Sequence, residues 1–122
     1  MAKIWFVTGS SRGLGKSITE MVLANGDNVA ATARNPKKIN DLVNKYPNQI
    51  LTLHLDVTDK AQIHLAVEQT VKHFGRIDVL VNNAGFGITG AIEEFTDEQV
   101  ISQLAVNLYA PIFTQAAIGQ YF

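Results

Sequence analysis

The apolar positions of the chain follow two patterns that alternate along its length. Four short apolar runs are typical of buried strands, and between them apolar residues recur every three or four positions, as on one face of a helix. The strand runs cover residues 3–8, 28–33, 49–57 and 77–82. The first two helical patterns cover residues 14–25 and 36–46, a third begins after Thr58 or Asp59 and ends at Gly75, and a last helical region follows residue 96.

Residues that favour helix ends lie at the borders of these patterns. Gly26 follows the first helical pattern, and Gly75 follows the third, where glycine permits the left-handed backbone that ends many helices. Thr58 or Asp59 is placed to cap the start of the third helix. Thr96 has a glutamine three positions later, which is capping-box spacing. The predicted order is therefore β-α-β-α-β-α-β-α.

This order predicts the fold class. Strands that alternate with helices through short connections form a parallel sheet with right-handed crossovers and helices on both faces. A length of 122 residues suits one such α/β domain, covering residues 1–122. Ligands of these sheets bind beyond the carboxyl ends of the strands, near the point where the winding reverses. Candidate chemistry is therefore expected in the loops that follow the four strands.

Composition excludes several classes of function. The formal net charge is −1, which gives no electrostatic reason to expect nucleic acid or an anionic membrane as a partner. There is no cysteine, so thiolate metal sites and cysteine nucleophiles are absent, and the three histidines have no spacing typical of a metal site. The first residues lack the long apolar region of a signal peptide, and no apolar stretch is long enough to span a bilayer. We expect a cytoplasmic protein.

The loop after the first strand is rich in glycine. In "TGSSRGLGKS", residues 8–17, Gly9, Gly13 and Gly15 precede a helix. Glycine allows close approach of a ligand, and the first turn of a helix presents free N–H groups to a phosphate. The loop also resembles the P-loop motif at its end, where Lys16 follows Gly15. The position of the first glycine of that motif is, however, occupied by a serine. On this loop alone, a dinucleotide site, a nucleotide hydrolase and a glycine-rich turn without a ligand all stay open.

Three further motifs favour the first of these interpretations. "LDVTD" follows the third strand, "NNAG" closes the fourth, and "VNLYAP" comes later. With "TGSSRGLG", in this order and at this spacing, the chain resembles the amino-terminal half of the short-chain dehydrogenase/reductase family over nearly all of its length. The resemblance implies a Rossmann-type doubly wound parallel sheet and hydride transfer between NAD(P)(H) and an alcohol or carbonyl substrate.

The resemblance also implies roles for individual residues. It assigns catalysis to Asn107, which would help to hold a water in the proton relay. It assigns the adenine contact to Asp56, with Val57 beside it, although Asp56 alone could be a helix cap. It assigns cofactor binding further to Gly9, Ser11, Arg12, Gly13, Leu14, Gly15, Arg34, Asn83, Ala84 and Gly85.

The choice of nicotinamide cofactor depends on the end of the second strand. NAD enzymes place an acidic side chain there, which accepts hydrogen bonds from the adenosine ribose. Here the position is held by Ala33, Arg34 follows directly, and Arg12 lies in the glycine loop. Guanidinium groups match the charge and geometry of the extra 2′-phosphate of NADP. The sequence therefore predicts NADP(H) rather than NAD(H).

The proton donor of the family does not occur in this sequence. The family uses a tyrosine with a lysine four residues later, and none of Tyr46, Tyr109 and Tyr121 has that partner. We expect a fold truncated after the fourth strand and its following helical region, which is inactive alone. A small alcohol or carbonyl would be the substrate of the full-length form. The open edge of the fourth strand predicts a possible homo-oligomer, and a non-catalytic dinucleotide-binding or interaction module is the alternative.

Overall fold

The computed structural model describes residues 2–83, 96–98, 114 and 119. These include four strands, three α-helices and one 3₁₀ turn. In chain order they are β1 (Ile4–Val7), α1 (Gly13–Ala24), β2 (Asn28–Ala33), the 3₁₀ turn Pro36–Ile39, α2 (Asn40–Lys45), β3 (Ile50–His54), α3 (Lys60–Phe74) and β4 (Val79–Val81). The predicted alternation of strands and helices is confirmed over this part of the chain. Most of the predicted last helical region lies outside the described residues.

The four strands form one parallel sheet in the order β3-β2-β1-β4. The chain moves outward from β1 to β2 and β3, and then α3 returns it to the opposite side of β1. The winding therefore reverses between β1 and β4. In parallel sheets of this kind, the crevice beyond the carboxyl ends of the strands at the reversal is the usual ligand site. The loops after β1 and β4 flank that crevice.

Successive residues of the inner strands pack on opposite faces of the sheet. Phe6 of β1 belongs to a cluster that includes Ile63 and Val67 of α3. Its neighbour Val7 belongs to a second cluster with side chains of α1 and α2, such as Leu23. The sheet is therefore covered by helices on both faces, which explains the almost unbroken apolar sequence of its inner strands.

Most predicted helix ends are confirmed, with small differences in the strands. Asp59, rather than Thr58, caps α3, because its carboxylate accepts hydrogen bonds from the N–H groups of the first turn. Gly75 ends α3 with a φ of 91°, in the left-handed region. β3 ends at His54, three residues before the predicted limit, although Leu55 and Val57 beyond it are buried in the core. The apolar pattern reflects which side chains are buried, and burial continues beyond the last residue of β3 that pairs with β2.

The amino ends of β1 and β4 are held together by one carboxylate. Oδ2 of Asp78 accepts a hydrogen bond from the backbone N–H of Ile4 at 2.8 Å, and the Asp78 N–H donates to the Ile4 carbonyl at 2.8 Å. Arg76 Nε lies 3.0 Å from both carboxylate oxygens. The N–H of Ile4, then the Arg76 guanidinium, lowers the pKa of Asp78. This clamp lies at the opposite end of the sheet from the candidate site.

The described residues contain neither a candidate membrane-spanning helix nor a candidate metal site. Within residues 2–83 and the few others described, no helix is both long and apolar enough to cross a membrane. The same residues contain no group of three or more histidine, aspartate or glutamate side chains that could hold a metal ion.

Candidate functional site

The start of the glycine loop is held by two buried polar residues, Ser10 and Thr32. The hydroxyl groups of Ser10 and Thr32 both donate to the carbonyl oxygen of Val7, at 3.0 and 2.9 Å. The backbone N–H of Ser10 also donates to the Thr32 carbonyl at 3.0 Å. Ser10 and Thr32 are fully buried. Buried hydrogen bonds are costly to break. These three bonds therefore fix the backbone after β1 and hold it against β2.

The loop is also tied to the end of β4. Thr8 donates its backbone N–H to the Val81 carbonyl at 3.0 Å, and its hydroxyl oxygen accepts the backbone N–H of Asn83 at 2.9 Å. The side-chain Nδ2 of Asn83 donates to the Gly9 carbonyl at 3.2 Å. The loops on the two sides of the winding reversal are therefore joined through Thr8 and Asn83.

Gly15 is packed so closely that no other residue fits at its position. A Cβ atom added there would lie far inside van der Waals contact with the carbonyl oxygen of Gly9 and the side-chain nitrogen of Asn83. Gly15 lies in the first turn of α1, so this contact brings the helix end against the loop. Gly15, which was predicted to allow close approach of a ligand, thus also allows α1 to pack against the glycine loop and Asn83.

Gly13 is different, because the space beside it is open. Its φ is 57°, in the left-handed region, and a Cβ atom added there would meet no atom of the described residues within 4 Å. Gly9 also has a left-handed φ, of 66°. The loop therefore has the backbone geometry that needs glycine, and open space lies beside Gly13.

No acidic residue lies in the first turn of α1, where the helix dipole is positive. Within the described residues, the N-cap Arg12 makes no side-chain capping hydrogen bond. The first N–H groups of a helix have no partner within the helix and carry a partial positive charge. Leu14 in this turn is 68% exposed, and Ser11 is half-buried. The loop and helix end fit a phosphate or pyrophosphate group.

A second group of candidate residues lies at the carboxyl ends of β2 and β3. Arg34 directly follows β2, and its Nη2 lies 3.7 Å from Oδ1 of Asp56. The same Oδ1 accepts hydrogen bonds from the backbone N–H and hydroxyl of Thr58, at 3.0 and 2.6 Å. The Thr58 hydroxyl is the main cause that lowers the pKa of Asp56, and the Arg34 charge contributes. Oδ2 of Asp56 has no hydrogen-bond partner among the described residues.

The side chain of Lys16 is engaged outside the glycine loop. Its Nζ lies 3.1 Å from Oδ2 of Asp41 in α2, and a hydrogen bond from Lys16 lowers the pKa of that carboxyl group. The lysine of a P-loop instead reaches the phosphates. The residue where a P-loop needs its first glycine is Ser10, whose side chain is buried at the start of the glycine loop. This arrangement does not favour the nucleotide-hydrolase interpretation.

The structure places most of the predicted site residues at one end of the sheet, in two groups. Contacts join Gly9, Gly15 and Asn83 in the loop group, and Arg34 pairs with Asp56 in the other. Val57 is buried in the core and contributes to packing. The predicted Ala84, Gly85 and Asn107 lie outside the described residues.

Sequence analysis missed the hydroxyl side chains that hold the loop. Thr8, Ser10 and Thr32 bond to backbone groups of neighbouring strands or of the loop itself. A signal was present, since Thr32 interrupts the apolar run that follows Asn28 in β2. Its meaning depends on which carbonyl lies opposite in the folded sheet, and the pattern along the chain does not contain that information.

Comparison with known proteins gives consistent matches. The family model for short chain dehydrogenase matches residues 3–122. The oxidoreductase BOA17 of Botryotinia fuckeliana is 45% identical over 119 residues, which are 97% of this chain and 43% of that protein. The crystal structure of a short-chain dehydrogenase from Streptomyces avermitilis has a TM-score of 0.95 and 38% identity, covering 98% of this chain and 44% of that one.

A third similar protein was solved with a nicotinamide cofactor. It is a blue fluorescent protein from a metagenomic library in complex with NADPH, with a TM-score of 0.88 and 33% identity. The match covers 97% of this chain and 50% of that one. The present chain therefore spans half or less of the length of each of these three relatives.

Proposed function

Because the chain belongs to the short-chain dehydrogenase family, we propose that it is the NADP(H)-binding portion of an oxidoreductase. The whole protein would move a hydride between the nicotinamide and a small alcohol or carbonyl substrate. The preference for NADP(H) over NAD(H) is inferred from the position of Arg34. Its exposed side chain lies at the end of β2, directly after Ala33. The NADPH complex of a similar protein supports this choice.

The pyrophosphate of the cofactor would lie against the glycine loop and the amino end of α1. The positive left-handed φ of Gly13, the open space beside it and the uncapped first turn support this position. Backbone N–H groups would donate to the phosphate oxygens, and the helix dipole would favour their negative charge. Ser11 and Leu14 would line the approach to the same loop.

The adenosine would lie toward the ends of β2 and β3. Oδ2 of Asp56 would accept a hydrogen bond from the adenine amino group, and Asn83, Ala84 and Gly85 would line the same side. Arg34, together with Arg12, would bind the 2′-phosphate. A guanidinium that forms charge-assisted hydrogen bonds to phosphate contributes about 1.5–3 kcal/mol, which corresponds to roughly 10- to 100-fold in affinity.

When bound, the cofactor supplies or accepts the hydride. Asn107 would help to hold a water in the proton relay. No tyrosine of this sequence has a lysine four residues later, so we propose that the 122-residue chain alone binds cofactor without turnover. The cytoplasmic location and the homo-oligomer through β4 stay predictions.

The proposal is tested by titrating the chain and its Arg34→Asp variant with NADPH and NADH, following cofactor fluorescence. We expect the wild type to prefer NADPH and the variant to lose about 10- to 100-fold in NADPH affinity while NADH binding is spared. Lys72→Asp, with the same charge change in the last turn of α3, is the control and should leave the preference intact. Equal wild-type affinities for the two cofactors would contradict the assignment.

A further inference from the structure

The ion pair between Arg34 and Asp56 suggests a second role for the carboxylate. We propose that Asp56 is a positioning residue, which holds the guanidinium of Arg34 ready for the 2′-phosphate of the cofactor. The inference rests on the proposed function, because it concerns the same adenosine site. It goes beyond the adenine contact, since it makes Asp56 a determinant of the preference for a 2′-phosphate.

The backbone at both residues is fixed by the sheet. Ala33, the last residue of β2, is in register with His54, the last residue of β3. The N–H of Leu55 donates to the carbonyl of Ala33 at 2.9 Å. Arg34 directly follows Ala33, and Asp56 directly follows Leu55. The two side chains therefore start from neighbouring and well-determined backbone positions.

The carboxylate of Asp56 is anchored without help from Arg34. Its Oδ1 accepts the backbone N–H and the hydroxyl of Thr58, and the backbone N–H of Asp56 donates to the Gln62 side chain at 2.8 Å. Hydrogen bonds to the charged form also lower its pKa, so the group is ionised at neutral pH. Asp56 is therefore a fixed negative charge.

The side chain of Arg34, by contrast, has few contacts with the described residues. Its side chain is 70% exposed, and Asp56 is its only ion-pair partner among the described residues. The contact uses Nη2, and a guanidinium has five N–H donors, so other donors are left for a phosphate. The pair would thus orient the guanidinium without using all of its donors. An exposed pair of this kind contributes little to folding stability, so its effect should appear in ligand binding.

The test is a double-mutant cycle with two small probes. The wild type, Arg34→Ala, Asp56→Asn and the double variant are titrated with 2′,5′-ADP, which carries the 2′-phosphate, and with 5′-AMP, which does not. Loss of the adenine contact weakens both probes equally. We expect Asp56→Asn to weaken 2′,5′-ADP by a further factor of about two to ten, the range for ordering one flexible side chain in advance. That further factor should vanish in the Arg34→Ala background.

Substitutions of Thr58 provide a second test, in which the charge of Asp56 is kept. Thr58→Val removes the hydroxyl that anchors Oδ1, and it should reduce the preference for 2′,5′-ADP over 5′-AMP. Thr58→Ser keeps a hydroxyl and should restore the preference. A purely structural role of Thr58 would weaken both probes by the same factor.

The outcomes separate this inference from the proposed function. If the wild type binds both probes equally well, the 2′-phosphate assignment fails and the positioning role fails with it. If the preference depends on Arg34 but is unchanged in Asp56→Asn, the proposed function stands and only the positioning role is overturned. The same holds if the further loss in Asp56→Asn persists without Arg34.

Discussion

Nδ2 of Asn83 donates a hydrogen bond to the carbonyl oxygen of Gly9 at 3.2 Å, across 74 positions of the sequence. The bond joins the loop after β4 to the loop after β1, at the point where the winding of the sheet reverses. The carbonyl of Gly9 also faces Gly15 at the start of α1. One side chain thus helps to set the shape of the loop that is the proposed pyrophosphate site.

Replacement of Asn83 tests this relationship. Asn83→Ala removes the donor to Gly9, and we expect a loss of about 1 to 3 kcal/mol in the free energy of unfolding because that carbonyl loses its partner. The affinity for NADPH should fall with it. Asn82→Ala is the matched control, since the side chain of Asn82 is exposed and has no hydrogen bond to the described residues. Urea unfolding and cofactor titration measure the two effects, and equal losses in both variants would contradict the role of Asn83.

The glycines of the loop should respond differently to the same substitution. Gly15→Ala forces a methyl group against the Gly9 carbonyl, and we expect a loss of stability of about 3 kcal/mol or more, at the upper end of overpacking costs. The methyl group of Gly13→Ala meets no atom of the described residues, so this variant should cost only about 1–2 kcal/mol, for the left-handed backbone.

Gly26→Ala is the control for backbone strain away from the site. Gly26 has a φ of 88°, and an added Cβ atom meets nothing within 4 Å in the part of the chain that the structure describes. It should therefore lower stability about as much as Gly13→Ala while leaving NADPH binding unchanged. Gly13→Ala should weaken binding, because the methyl group enters the space proposed for the pyrophosphate. Binding unaffected in Gly13→Ala would place the phosphate elsewhere.

Acid should weaken the fold through Asp78. Its pKa is lowered from 3.8 in the folded chain, chiefly by the N–H of Ile4. A lowered folded pKa means that the charged carboxylate stabilises the fold above its unfolded pKa. This contribution is lost as the pH falls from the unfolded value through the folded one. In Asp78→Asn, stability near neutral pH should be lower, and the decline as the pH falls through and below the unfolded pKa should be shallower.

Denaturant unfolding at several pH values measures this difference. Asp56 and Asp41 also have lowered pKa values, so some acid sensitivity should persist in the variant. An acid profile identical to that of the wild type would show that the clamp at the amino ends of β1 and β4 does not contribute.

The fold was largely predictable from the sequence because its signals are local. The apolar run of β2 gave both of its bounds correctly, and Gly75 was correctly identified as the end of α3. β3 was predicted too long, because Leu55 and Val57 are buried after strand pairing has ended. Periodicity reports burial, whereas the limits of a strand depend on a neighbour that is distant in sequence.

The candidate site was predictable only in part, for the same reason. The glycine loop and the family motifs predicted the site residues, and that assignment stays a prediction, whereas the comparisons confirmed the family. The contact of Gly15 with Gly9 and Asn83 and the pairing of Arg34 with Asp56 could not be derived from spacing. They arise from the β3-β2-β1-β4 strand order, which brings loops far apart in sequence to one edge.

The most direct test of the account is to map NADPH onto the isotope-labelled 122-residue chain by amide NMR. We expect saturable shifts at the amides of Gly13, Gly15 and Arg34, with little change at Asp27 and Asp78 at the opposite end of the sheet. NADH should shift the glycine loop at higher concentration and leave Arg34 less affected. No shift at millimolar NADPH, or shifts concentrated around Asp27 and Asp78, would contradict the claim that this end of the sheet binds the cofactor.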